Sequence, residues 1–207
     1  MAMSKSLVPM AAFDLSSQGP VRLRGYRTSN NTMALEMGVD YEKAEVPDRF
    51  YYADYCDVIR GRVGVNFIFG RLEPGGNRLR SQVEIAYPED QFIRQLWKSS
   101  REIHETVRKQ VGGKMPPPVN AESTDKTQTF RSNNVFMAVL GDEAVMDFYY
   151  VSPGDIHFAA VKKRKDIHLE PVIRIALNTA IMFEFFEKCR PSAEQLTPLV
   201  DVEYEQK

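Results

Sequence analysis

Any catalytic or metal-binding chemistry in this chain would have to be built around three histidines, two cysteines and the carboxylates placed near them. His104, His157 and His168 lie in no H-x-x-x-H or H-E-x-x-H spacing, so no helix face presents two imidazoles to one metal ion. Cys56 and Cys189 are far apart, with no C-x-x-C, which fits reduced packing thiols better than a disulfide or a zinc site. A nucleophile in G-x-S-x-G or S-x-x-K context is missing. The glycines around Gly61–Gly76 form neither a phosphate loop nor a dinucleotide fingerprint. These residues give no catalytic constellation, so the expectation is a non-enzymatic protein without cofactor or metal.

Binding chemistry is better represented. Arg60, Arg62, Arg71, Arg78 and Arg80 cluster around the hairpins of the first half, and Lys162, Lys163, Arg164 and Lys165 form a basic run in the second. Tyr51, Tyr52, Tyr55, Phe67, Phe69, Tyr149 and Tyr150 lie on neighbouring strand candidates. An aromatic sheet with a basic rim could hold single-stranded nucleic acid, since bases stack on rings while cations follow the phosphates. The competing and favoured expectation is a protein-interaction module, an adaptor or chaperone-like oligomer. Its expected interface is a helix carrying Ile173, Leu177, Ile181, Phe185 and Phe186, whose apolar residues spread around most of the circumference. Asn66 and Asp147 recur beside a phenylalanine on matching strands and read as polar groups on a solvent-facing side.

The elements that must position these residues follow from periodicity and turn chemistry. Residues 1–20 show no sustained period and read as a flexible arm. Val21–Tyr26 alternates apolar and basic residues, as a half-buried strand does. Strands follow around Tyr52–Ile59, Val63–Phe69 and Arg78–Ala86, with a turn at Pro74-Gly75, and then a helix opening near Pro88-Glu89-Asp90 and running to Val107. The first β-rich repeat thus spans 21–110. Residues 111–130, with Gly112-Gly113 and Pro116-Pro117-Pro118, read as a linker. The second repeat, 131–190, offers strands at Asn134–Leu140, Ala144–Val151 and Ile156–Val161, a Pro153-Gly154 turn, and a helix from Val172 to Phe186. Residues 191–207 form an acidic tail.

Laid over each other at a separation of about eighty residues, the halves match in element order, with Asn66-Phe67 on Asp147-Phe148 and the two Pro-Gly turns in step. The fold class expected is therefore α+β, with two tandem β-β-β-α repeats forming antiparallel sheets packed with helices as a pseudo-dimer. A lone three-stranded sheet with one helix hides too little apolar surface to stand by itself, and a second copy supplies the missing cover.

The segments Val63-Gly64-Val65-Asn66-Phe67, Leu72-Glu73-Pro74-Gly75 and Ser81–Asp90 resemble a small bacterial domain family of uncharacterised function. Its members read F-V-L-D-F, then a Pro-Gly turn, then S-R-I-x-L-T-P-E-H into a helix. Val145-Met146-Asp147-Phe148 and Pro153-Gly154 resemble it again, so the domain is duplicated here if the resemblance holds for both halves. Leu169-Glu170-Pro171 stands where the family has Thr-Pro-Glu, and Asn66 stands where it has Asp. The resemblance implies a fold and no activity.

Composition sets the outer bounds. The chain has 207 residues, 43% of them hydrophobic and 27% charged, an ordinary globular balance. A formal charge of -1 gives no long-range pull on polyanions, so nucleic acid would need a local patch. No apolar run approaches a membrane span and no leader pattern opens the chain, so the expected location is the cytoplasm, away from membranes and as a homo-oligomer.

Overall fold

The computed structural model describes residues 11–16, 19–27, 33–61, 64–76, 78–88, 96–97, 100–162 and 167–190. It is an α+β structure whose sheets are mostly antiparallel. The described elements fall into two units, one holding the first three strands and a helix at Pro153–Lys162, the other everything between and after them.

The first unit is a meander of β1 (Ala11–Ser16), β2 (Val21–Arg27) and β3 (Met33–Val39) in the order β1-β2-β3, with helix α2 (Pro153–Lys162) packed on β1 and β2. Val21 and Leu23 are fully buried and Arg22 and Arg24 exposed, the alternation that a one-sided strand requires. Asp40 closes the meander: its backbone N–H donates to Pro20 O at 2.7 Å and its carboxylate takes Arg22 at 3.0 Å. The expected arm therefore includes a paired strand, β1.

The second unit holds two four-stranded sheets. One runs β5 (Tyr55–Arg60), β6 (Gly64–Leu72), β7 (Leu79–Pro88), β8 (Thr127–Arg131). The other runs β4 (Phe50–Tyr52), β11 (Glu170–Asn178), β10 (Glu143–Tyr150), β9 (Asn134–Leu140). In each, three strands are antiparallel and the fourth lies parallel to its neighbour: β8 along β7, β4 along β11. The pairing pattern repeats residue by residue. Tyr51 lies opposite Ile175 as Phe130 lies opposite Ile85. Ala53 N donates to Ala176 O, and Ser132 N to Ala86 O. Asp54 N donates to Gly70 O, and Asn133 N to Tyr149 O. Cys56, Phe69 and Val83 stand in one row, as do Val135, Phe148 and Ile173. In this register Phe69 takes the place in its sheet that Phe148 takes in the other, two residues from the match that the sequence suggests.

Inward rows from both sheets form the core with helices α1 (Arg101–Gln110) and α3 (Thr179–Cys189). Phe67, Phe69, Phe148 and Phe185 are fully buried. Phe185 meets Phe67 edge-on at 5.2 Å and Phe69 at 5.5 Å, and Phe69 meets Phe148 at 6.0 Å. Burying each such ring contributes about 1.5–3 kcal/mol, which makes this cluster the main tie between the sheets. α3 packs on β5, and α1 on α3 and β9.

Three expectations are corrected. Ile156–Val161 is helical, within α2, because Ser152-Pro153-Gly154-Asp155 is a helix start: the Ser152 hydroxyl accepts from Gly154 N at 3.2 Å, Pro153 fits the first helical position, and Asp155 complements the positive end. Val172–Asn178 is strand, not helix, with Ile173, Ile175 and Leu177 alternating inward, and the helix begins only at Thr179, where Asn178 Oδ1 accepts from Ile181 N at 2.9 Å. The segment read as a linker contains β8, which completes a sheet. At Pro74-Gly75 the expected turn forms, with Gly75 at φ +110° and Glu73 N and Arg78 O 2.9 Å apart. The expected helix opening at 89–95 lies outside the described residues.

Candidate functional site

The residues expected to form a protein interface are inside the chain's own core. Ile173 and Leu177 sit on β11, and Ile173, Leu177, Phe185 and Phe186 are at most 2% exposed, with Ile181 half-buried on α3. The apolar character all round α3 follows from a helix packed on several sides, and the expected interface is covered within the chain.

Register sets out an exposed face elsewhere in the same unit. On the outer face of the β4-β11-β10-β9 sheet, Tyr52, Ala176, Val145 and Ala138 form one row across all four strands, and Phe50, Arg174, Asp147 and Phe136 the next. Phe50 is 64% exposed and Leu140, at the end of β9, 86%. The charges in these rows answer each other: Arg174 Nε and Nη2 donate to the two Asp147 carboxylate oxygens, each at 2.6 Å. That fork holds the guanidinium above its ordinary range, burial working against it. Asp147 is thus buried and paired instead of facing solvent. Asn66 is half-buried on the outer face of the other sheet, in register with Ile59 and Ala86.

The described basic residues of the second unit are engaged differently. Arg60 donates to Cys189 O and Arg190 O at 2.9 Å, serving the C-terminus of α3. Arg78 and Arg80 are exposed at the start of β7, and Arg71 stands over the Tyr52 ring at 5.9 Å. Arg62, Lys163, Arg164 and Lys165 lie outside the described residues, and Lys162 ends α2 in the first unit. Of the expected platform rings, Phe67, Phe69 and Tyr149 are buried.

A cleft of about 790 Å³ lies between β5, α3 and the stretch 115–122. Lys188 sits in it, donating to Glu184 Oε1 at 2.9 Å and Cys56 O at 2.7 Å, 3.4 Å from Asp57 and 5.4 Å from the centre of the Tyr55 ring. Burial pulls its ammonium down, but the hydrogen bond to Glu184 and the neighbouring negative charges outweigh that and hold it above its ordinary range. Burial, with Asp57 adding to it, raises the Tyr55 phenol. Lys188 and the Asp57 carboxylate, which accepts from Val58 N at 2.9 Å, also occupy the outward backbone groups of edge strand β5.

The histidines serve separate purposes. His104 Nε2 meets Glu187 Oε1 at 3.0 Å and its ring lies parallel to Phe183 at 5.9 Å, joining α1 to α3, while His157 and His168 are exposed. Cys56 and Cys189 are free and buried; the Cys56 thiol donates to Ile181 O at 3.6 Å. Among the described residues, no group of three or more histidine, cysteine or acidic side chains is placed to hold a metal ion, and no helix is long and apolar enough to cross a membrane. The signal for the exposed face was present in Phe50-Tyr51-Tyr52, but three residues are too few to show a period. The cleft depends on residues brought together from three distant segments.

No protein-family model, curated protein or solved structure matches the chain.

Proposed function

We propose that this chain acts by binding protein, as a homo-oligomeric adaptor or chaperone-like module without a catalytic step, and that the outer face of the β4-β11-β10-β9 sheet is the surface it uses. The observation that carries this reading is the pair of rows described above. They are apolar or aromatic at both ends, and their only charges neutralise one another within the face. Such a surface loses little polar solvation when covered and gains from every ring removed from water. The test is light scattering on a sizing column over a wide concentration range, comparing the natural chain with the double variant Phe50→Asp, Leu140→Asp. A dimer or larger assembly that the variant reduces to monomer is expected. A natural chain that stays monomeric throughout overturns the oligomeric reading.

The same reading includes a duplication. The repeated pairs Tyr51–Ile175 and Phe130–Ile85, with the matched hydrogen bonds at Ala53 and Ser132, support a block of three antiparallel strands and a helix present twice, as a pseudo-dimer in which the extra strand before each block pairs with the other block's sheet.

One observation favours a second reading, single-stranded nucleic-acid binding. Arg71 over the Tyr52 ring, with exposed Phe50 on the same strand, is an arrangement on which bases stack. Oligonucleotide retention that collapses with added salt and is lost in Arg71→Gln would mark it. Association that survives salt favours the protein-binding reading.

A further inference from the structure

We infer that the cleft between β5, α3 and residues 115–122 is a binding site for an aliphatic cation, a primary ammonium carried on a flexible hydrocarbon stem. Its size, about 790 Å³, lies in the range that holds a small organic molecule or an inserted side chain. Its lining divides by chemistry. Asp57, Glu184 and Glu122 bring three carboxylates against the single ammonium of Lys188. That ammonium is committed already: Glu184 and the Cys56 carbonyl take its hydrogen bonds, and the Tyr55 ring lies beside it. The balance facing a ligand is therefore negative: Asp57, with a 40% exposed side chain, lies 3.4 Å from the one ammonium and shares it with Glu184, and Glu122 is exposed. An anion would meet repulsion, the one cation among the lining residues being held by carboxylates already, whereas an ammonium would find Glu122 and the exposed part of the Asp57 carboxylate.

The opposite wall suits a stem. Met115, Pro116, Pro118, Val119 and Ala121 present apolar surface, with the Asn120 amide as a neutral polar group among them. The prolines fix their own backbone angles, so this wall is organised before a ligand arrives and little ordering entropy is lost on binding. The cleft shares no lining residue with the outer sheet face, so the two sites stand or fall separately.

Two sources share the ligand chemistry, a free diamine and a lysine side chain of a peptide, and the experiment distinguishes them. Calorimetric titration of the full chain with 1,5-diaminopentane and, separately, with an N-acetyl-lysine amide should give saturable binding to one or both, weakened by added salt. Saturation by the diamine alone assigns the site to small amines, and saturation by the lysine amide assigns it to peptide side chains. Asp57→Asn should weaken binding by about tenfold or more. Asp57 also accepts a backbone hydrogen bond, so Glu122→Lys, at an exposed position, is the variant that keeps the test secure if Asp57→Asn misfolds. Equal affinity in Glu122→Lys, equal binding of uncharged 1-pentanol, or no saturation by either amine up to ~10 mM overturns the inference.

Discussion

At the residue scale, the ionisable groups buried in this chain make it sensitive to base. Burial pushes the Cys56 and Cys189 thiols well above their ordinary value, and burial together with the Asp147 charge raises the Tyr149 phenol to about 12. Each of these groups is neutral when protonated, and each holds its proton more tightly in the folded chain than in the unfolded one. Their contribution is therefore complete below the unfolded values, near pH 9 for the thiols and 10 for the phenol, and is lost as pH rises through the folded values. For Tyr149 the loss falls between pH 10 and about 12 and amounts to about 2–3 kcal/mol. Urea midpoints measured from pH 8 to 12 should fall steadily above 9, and Tyr149→Phe should flatten the upper part. A midpoint that holds level from pH 8 to 11 would contradict this. The Asp147–Arg174 fork shows the limit of what sequence conveys at this scale. Asp147 beside Phe148 on an alternating strand reads as solvent-facing, and only the register with Arg174, on a strand that itself reads as helix, reveals a buried, paired carboxylate.

At the element scale, a glycine marks where β6 and β7 come too close for a side chain. A Cβ on Gly64 would lie 2.8 Å from the Tyr87 carbonyl oxygen, a backbone atom that cannot rotate away. Gly64→Ala should therefore spread the end of the β6–β7 ladder and cost about 1–3 kcal/mol, read as a lower urea midpoint and faster amide exchange at Val65 and Tyr87. An unchanged midpoint would place the contact elsewhere. Where local chemistry decides, the sequence is legible: β5, β6, β7 and the Pro74-Gly75 turn follow from alternation and turn residues alone. Where two local rules compete, it misleads. Pro153-Gly154 repeats the same dipeptide, but Ser152 before it and Asp155 after it convert a turn into a helix start. Between β11 and α3 no glycine or proline breaks the apolar run, so an alternating strand and a helix merge into one apparent helix. Strands β4 and β8 exist because a distant edge is available to them, and nothing in their own residues announces that.

At the scale of the whole molecule, the consequence of those two edge strands is mutual dependence. β4 completes the sheet made by β9, β10 and β11, and β8 completes the sheet made by β5, β6 and β7. Cutting the chain between Gly113 and Lys114, in the stretch without regular structure after α1, should yield two pieces that show no cooperative melting alone and regain it when mixed. A first piece that melts cooperatively by itself would show that β8 is dispensable. Strands such as β5, β6 and β7 were readable from the sequence, while this exchange of strands was not, because β4 pairs across more than half the chain and β8 reaches its partner past a helix and a stretch without regular structure.

The pairing of Tyr51 with Ile175 also fixes a schedule for synthesis. At about 5–20 residues per second, the ribosome finishes β4 roughly ten seconds before it makes β11. Throughout that interval the nascent chain carries Phe50-Tyr51-Tyr52 with no edge to join, and the residues that will later form a finished surface are the ones most in need of escort while translation continues.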